Sequence, residues 1–162
     1  MFRISNSVPT SVRTLFVFLL APLFLFTDSS ADTSFDLQDY RGKVVVLDFW
    51  ASWCVPCRRS FPWMNEMHEK YGDDGLVIVG VNMDAEPQEA QAFLDEFPAK
   101  FRIIEDANGE LAKEFDVIAM PSSYVIDRNG DVVQRHLGFK VKRQEEYESL
   151  IQSVLARNQK EF

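Results

Sequence analysis

Cys54 and Cys57 are the only cysteines in the chain, and they stand two residues apart in the stretch Cys54-Val55-Pro56-Cys57. At that spacing a disulfide can close across one helical turn. The pair follows Lys43 to Trp50 (KVVVLDFW), a continuous apolar and β-branched run that reads as a strand buried on both faces. It opens Cys54 to Tyr71, a glycine-free segment that reads as a helix, with Pro62 expected to kink it. A cysteine at a helix N-terminus meets unpaired backbone N–H groups and the positive end of the macrodipole. Both lower its pKa and supply thiolate, the reactive form. The spacing therefore predicts that Cys54 attacks a target disulfide and that Cys57, one turn deeper, resolves the mixed disulfide. Pro56 pre-sets φ near the helix start, where no N–H is needed. Two other readings stay open. One is an inert bridge, although so short a loop gains little from closure. The other is half a metal site. Zinc takes four ligands, however, and no second such pair exists. His68 and His136, the only histidines, read as surface or half-buried side chains.

The rest of the chain must position this pair. It has 162 residues, 46% hydrophobic and 26% charged, with 14 Phe, 3 Trp and 4 Tyr, which excludes a disordered chain and leaves one globular domain as the default. The net charge of -8, with no basic block, argues against a nucleic-acid partner, whose phosphates demand cations. Leu76 to Val81 reads as a second buried strand. Pro87 to Phe97 carries Ala90, Phe93, Leu94 and Phe97 at helical spacing, with Pro98 beyond its end. Phe101 to Ile104 is a short strand and Glu110 to Phe115 a short helix. Ser123 to Ile126 and Val132 to His136 flank Asn129-Gly130, a hairpin signal. A last helix carries Tyr147, Leu150, Ile151, Val154 and Leu155 on one side. This order predicts an α/β domain, a mixed sheet covered by helices on both faces.

The first residues read as an export signal. Arg3 and Arg13 precede Leu15 to Phe26, twelve residues without a charge. The stretch is shorter than the roughly 20 apolar residues a spanning helix needs. Ser29 and Ala31 fit a small-residue cleavage site, giving a signal peptide over 1–31 and a domain over 32–162. An uncleaved interfacial anchor is the alternative. Export predicts a periplasmic protein whose thiol pair works in an oxidising compartment.

Val46 to Cys57 (VLDFWASWCVPC) resembles the active-site strand and helix of the thioredoxin superfamily. The wider chain resembles the exported TlpA/ResA-like thiol:disulfide oxidoreductases. Phe35 to Lys43 is similar to that family's extra N-terminal strand and its Gly-Lys lead. The stretch 82–106 is similar to its helix-containing insertion, and Met120 to Gly130 (MPSSYVIDRNG) to its Pro-containing hairpin. The resemblance implies a thioredoxin-like fold with those additions. It implies that Pro121 is a cis proline that sets the backbone of Met120 against the two sulfurs, where a substrate strand pairs. A trans proline opening a strand is the plainer alternative. Trp53 is implied as a surface contact for partners, whereas Trp50 and Phe49 read as core.

Asp48 matches the buried acid behind the thiol pair in thioredoxin. Burial should raise its pKa. It then either takes the Cys57 proton or pairs with the helix start as a buried polar group must. Many TlpA/ResA-like members carry Glu where this chain has Ser60 and Asn where it has Asp48, so proton handling does not carry over from them. Arg58 and Arg59 read as a solvated face.

The dipeptide Val55-Pro56 offers nothing cationic to the Cys54 sulfur, which predicts weak thiolate stabilisation and a reducing potential. The resemblance implies protein disulfides as substrates, apocytochrome c for example, and a membrane thiol carrier as electron donor. It implies a monomer without cofactor. No Walker loop or Gly-rich dinucleotide fingerprint is present. The alternatives are an oxidase or isomerase of the same fold, or a client- or copper-binding module.

Overall fold

The computed structural model describes residues 35–157; the expected signal segment lies outside them. A five-stranded mixed sheet, in the order β3-β2-β1-β4-β5, forms the frame. Its strands are β1 (Val44–Trp50), β2 (Leu76–Asn82), β3 (Arg102–Glu105), β4 (Ser122–Ile126) and β5 (Val132–Leu137). β1 runs parallel to β2, and β2 parallel to β3, while β4 lies antiparallel to both β1 and β5. Every residue of β1 is buried, as its unbroken apolar run requires of a central strand.

Alternation along β1 divides the core in two. Val44, Val46 and Trp50 join α1 (Val55–Tyr71), α2 (Pro87–Glu96) and α4 (Gln144–Arg157) on one face. Val45, Leu47 and Phe49 meet α3 (Glu110–Glu114) on the other. Helices thus cover both faces, as expected. On the first face Trp50, Phe61 and Phe93 form an aromatic triangle, with ring centroids 4.7 to 4.9 Å apart. Pro62 lies exposed inside α1, where its missing N–H leaves one helical bond unmade.

Two segments differ from expectation. Phe35 to Lys43 holds no strand; Leu37–Tyr40 is one 3-10 turn, capped by Asp36, whose carboxylate accepts from the Gln38 N–H at 2.8 Å. Phe35, Leu37 and Tyr40 pack on the second core, so a turn buries what a strand was expected to bury. The Asn129-Gly130 hairpin is not a two-residue loop. Asp127 binds the N–H groups of Asn129 and Asp131, and the Gly130 N–H donates to the Asp127 carbonyl. Gly130 takes the left-handed conformation at φ 83°, the place where glycine is needed in the longer turn.

Gly80 of β2 lies directly opposite Asp48. A Cβ there would stand 2.8 Å from Ile103 and 3.1 Å from both Phe101 and the Trp50 indole nitrogen. Gly80→Ala is expected to lose about 1–3 kcal/mol through overpacking. In urea unfolding the midpoint should fall with an unchanged m-value.

Candidate active site

The two cysteines sit where β1 passes into α1. Cys54 is the N-cap of α1, with extended backbone, and Cys57 occupies its first turn. Their sulfurs are joined at 2.02 Å, with Cα atoms 5.3 Å apart. Cys54 keeps 3% of its surface and Cys57 none, so only the first sulfur offers an edge to a partner. No acidic residue lies in the first turn to compete with an anion there. Trp53 beside it is 64% exposed. Val55 and Ile118 are exposed as well. Pro56, in the first turn of α1, is half-buried. Arg59 is exposed as expected, but Arg58 also lies over the Phe97 ring, its guanidinium carbon 5.8 Å from the centroid.

The Met120–Pro121 peptide bond is cis, as the resemblance implies. Met120 packs against the cluster that contains both cysteines, and Pro121 is buried. The Ser122 hydroxyl donates to the Ala119 carbonyl at 2.6 Å and tightens this bend.

Asp48 is fully buried on the sheet face that α1 covers. The Ser123 hydroxyl, directly opposite on β4, donates to its Oδ1. No described residue binds Oδ2. Burial pushes the carboxyl up to about 7, against the smaller opposing pull of the Ser123 bond. Asp48 thus pairs with a neighbouring strand, and no bond ties it to the start of α1. Ser60 is buried too, and its hydroxyl donates to the Cys57 carbonyl at 3.1 Å.

Sequence reasoning missed Asp84. This residue is 97% buried, yet no motif marks it. Its carboxylate accepts from the Ser52 N–H at 2.9 Å, the Ser52 hydroxyl at 3.0 Å and the Asn82 side-chain amide at 2.8 Å. Ser52 lies two residues before Cys54, so this carboxylate pins the turn that delivers the sulfur. The Asn82 side-chain oxygen, Oδ1, accepts the Asp84 N–H in return at 3.1 Å. The histidines are half-buried, as expected: His68 near the end of α1 and His136 on β5.

The Redoxin family profile matches residues 6–151. The chain is 38% identical over 128 residues to the thiol-disulfide oxidoreductase ResA of Bacillus thuringiensis, covering 78% of this chain and 73% of that one. It is 37% identical over 129 residues to the thioredoxin-like protein YneN of Bacillus subtilis, covering 78% and 74%. Among solved structures it is similar to one assigned as the thiol:disulfide interchange protein DsbE of Chlorobium tepidum. There the TM-score is 0.72 and the identity 47%, over 74% of this chain and 84% of that one.

Two outcomes test the site's energetics. Between pH of about 4 and 7 the folded Asp48 holds a proton that the unfolded chain has lost, so folding stability falls as pH rises through that window. The oxidised protein should lose at most roughly 4 kcal/mol there, and Asp48→Asn should remove that slope in urea titrations at stepped pH. Asp84→Ala strands the Ser52 and Asn82 donors and should cost about 3 kcal/mol, read as a lower thermal midpoint.

Proposed function

The chain belongs to the Redoxin family and is a thiol-disulfide oxidoreductase, and from that premise we propose that it is an exported reductase of protein disulfides. The observation that carries this reading is the Cys54–Cys57 pair at the N-terminus of α1, where Cys54 keeps a narrow exposed edge and Cys57 is sealed.

In the reduced enzyme the Cys54 thiolate, favoured by the helix N-terminus, attacks one sulfur of a client disulfide. That S–S bond breaks, a client thiolate leaves, and Cys54 is held in a mixed disulfide. Cys57 then loses its proton to Asp48 and attacks the Cys54 sulfur. The second client thiolate leaves and the Cys54–Cys57 bond forms. The client gains two electrons and two protons, and the enzyme is left oxidised. Trp53, with Met120 and Pro121, forms the surface on which the client strand lies. Pro56 fixes the first turn of α1 between the sulfurs.

The reductive direction is supported by Val55 and Pro56, which give the Cys54 sulfur no cation and no strong donor. A weakly stabilised thiolate means a low potential. Working outside the cytoplasm, such a reductase draws its electrons from a membrane thiol carrier. Its clients are oxidised exported proteins, apocytochrome c among them, and it acts as a monomer. The charge pattern of residues 1–31 supports export to the periplasm. Among the described residues no helix is long and apolar enough to cross a membrane.

Cys54→Ser should abolish insulin reduction, and Cys57→Ala should accumulate mixed disulfides with clients, visible on non-reducing gels. The potential measured against glutathione should lie well below roughly -120 mV; a value near that figure would make the protein an oxidase.

A further inference from the structure

Asp48 must release to solvent the proton it takes, yet it is fully buried. The sheet register shows where that proton can go. Ser123 stands opposite Asp48 on one side and opposite His136 on the other, so the three residues form one row across β1, β4 and β5. Directly paired residues share a face of the sheet. This face is the one beneath α1 and α4. A cavity of about 20 Å³ lies here, bounded by Ser60, Ser123 and His136 and closed by Val46, Trp63 and Tyr147. One water needs at least about 10–15 Å³ and two to four polar partners, and this space supplies both. His136 Nε2 is sealed from solvent and, like Asp48 Oδ2, is bound by no described residue.

We propose that this cavity holds one water, which passes the proton from Asp48, through the Ser123 hydroxyl, to His136 and so to solvent. The proposal rests on the reading of Asp48 as the base for Cys57. When Asp48 carries the proton, its O–H donates to Ser123 Oγ, Ser123 donates to the water, and the water donates to Nε2. Each group passes one proton along, so Asp48 returns to carboxylate and the imidazole becomes cationic. His136 is only half-buried and, with Nε2 sealed, regenerates by shedding the proton on its other ring nitrogen, Nδ1, to solvent. It acts through Asp48 and never on the sulfurs, which makes it a positioning residue.

The surroundings of both ends bear on this exchange. Burial and the nearby Arg143 hold the imidazole below its ordinary pKa, while Glu146 pulls the other way. The Tyr147 ring of α4 covers it, with centroids 4.7 Å apart. On Asp48 the influences are burial and Ser123, with its carboxyl at about 7. The imidazole is therefore held neutral, with Nε2 free to accept a proton.

The test is single-turnover reaction of the reduced protein with 5,5′-dithiobis(2-nitrobenzoate) at a pH of about 6, where Asp48 starts protonated and must shed its proton before it can take that of Cys57; the second thiolate release reports attack by Cys57. His136→Ala should slow that phase roughly tenfold, less than the 10²–10⁴ a lost base can cost. Added imidazole should restore it. His136→Phe, which fills the ring's place without a nitrogen, should stay slow, and Ser123→Ala should behave alike. In an Asp48→Asn background, itself slow, loss of His136 should add nothing. The relay is overturned if His136→Phe resolves at the parent rate, if imidazole fails to rescue His136→Ala, or if the two losses add. An Asp48→Asn variant resolving at the parent rate would instead remove the base reading beneath it.

Discussion

The chain has three residues, Ala51 to Trp53, in which to leave the central strand and cap the helix that carries both sulfurs. So short a passage has few conformations, and hydrogen bonds hold it at several points. The Cys54 N–H donates to the Ala51 carbonyl at 3.0 Å, and the Met83 N–H donates to the Trp50 carbonyl at 2.9 Å. Asp84 takes both donors of Ser52. β1 is buried throughout, so it cannot shift to relieve the turn. Position of the Cys54 sulfur is therefore set by packing of the strand below and by a carboxylate beside the turn. The sulfurs need contribute nothing to their own placement, and they remain free to exchange bonds without loosening the fold.

Asp48 works against stability in the same frame. Burying a carboxyl with one hydrogen bond and no cation disfavours its charged form, and that penalty grows as pH rises toward 7. A leucine would pack on this face without it. The strand beside it also carries a cost, since Gly80 opposite weakens a strand interior and is required by the close approach of Ile103, Phe101 and Trp50. Packing accounts for Gly80, but the choice of a carboxyl at position 48 is hard to explain by folding alone. It makes sense if a proton acceptor near neutrality must sit beneath α1, where a resolving thiol has to lose its proton.

Much of this was legible in the sequence because the signals were local. The unbroken run of β1, the Cys54–Cys57 spacing and the stripes of α2 and α4 each depend on residues close in the chain. Boundaries moved by a residue or so: β2 ends at Asn82 and β3 begins at Arg102. What escaped was non-local or side-chain driven. Asp84 reads as one more acidic residue until Ser52, 32 positions away, is placed against it. Asp127 lengthens the hairpin turn by binding two N–H groups, which overrides the Asn129-Gly130 preference for a tight loop. Phe35 to Tyr40 buries its apolar side chains through a turn, and periodicity cannot distinguish that from a short strand. His136 carries no sequence signal at all. Its relation to Asp48 exists only in the register of three strands.

That register also explains why an edge strand can matter to a site in the middle of the sheet. β5 is the outermost strand, with most of its residues exposed, whereas β1 has none. A side chain on β5 can face the shared core and still meet water. No residue of β1 can do both, and on β4 only Ser123 is less than fully buried. Electron transfer needs the opposite arrangement, because a client disulfide must reach a sulfur at the surface. The fold meets both demands by separating them. Bond exchange takes place at the rim, where α1 begins. In the proposed relay, proton exchange runs sideways through the sheet, by way of the strand that solvent already touches.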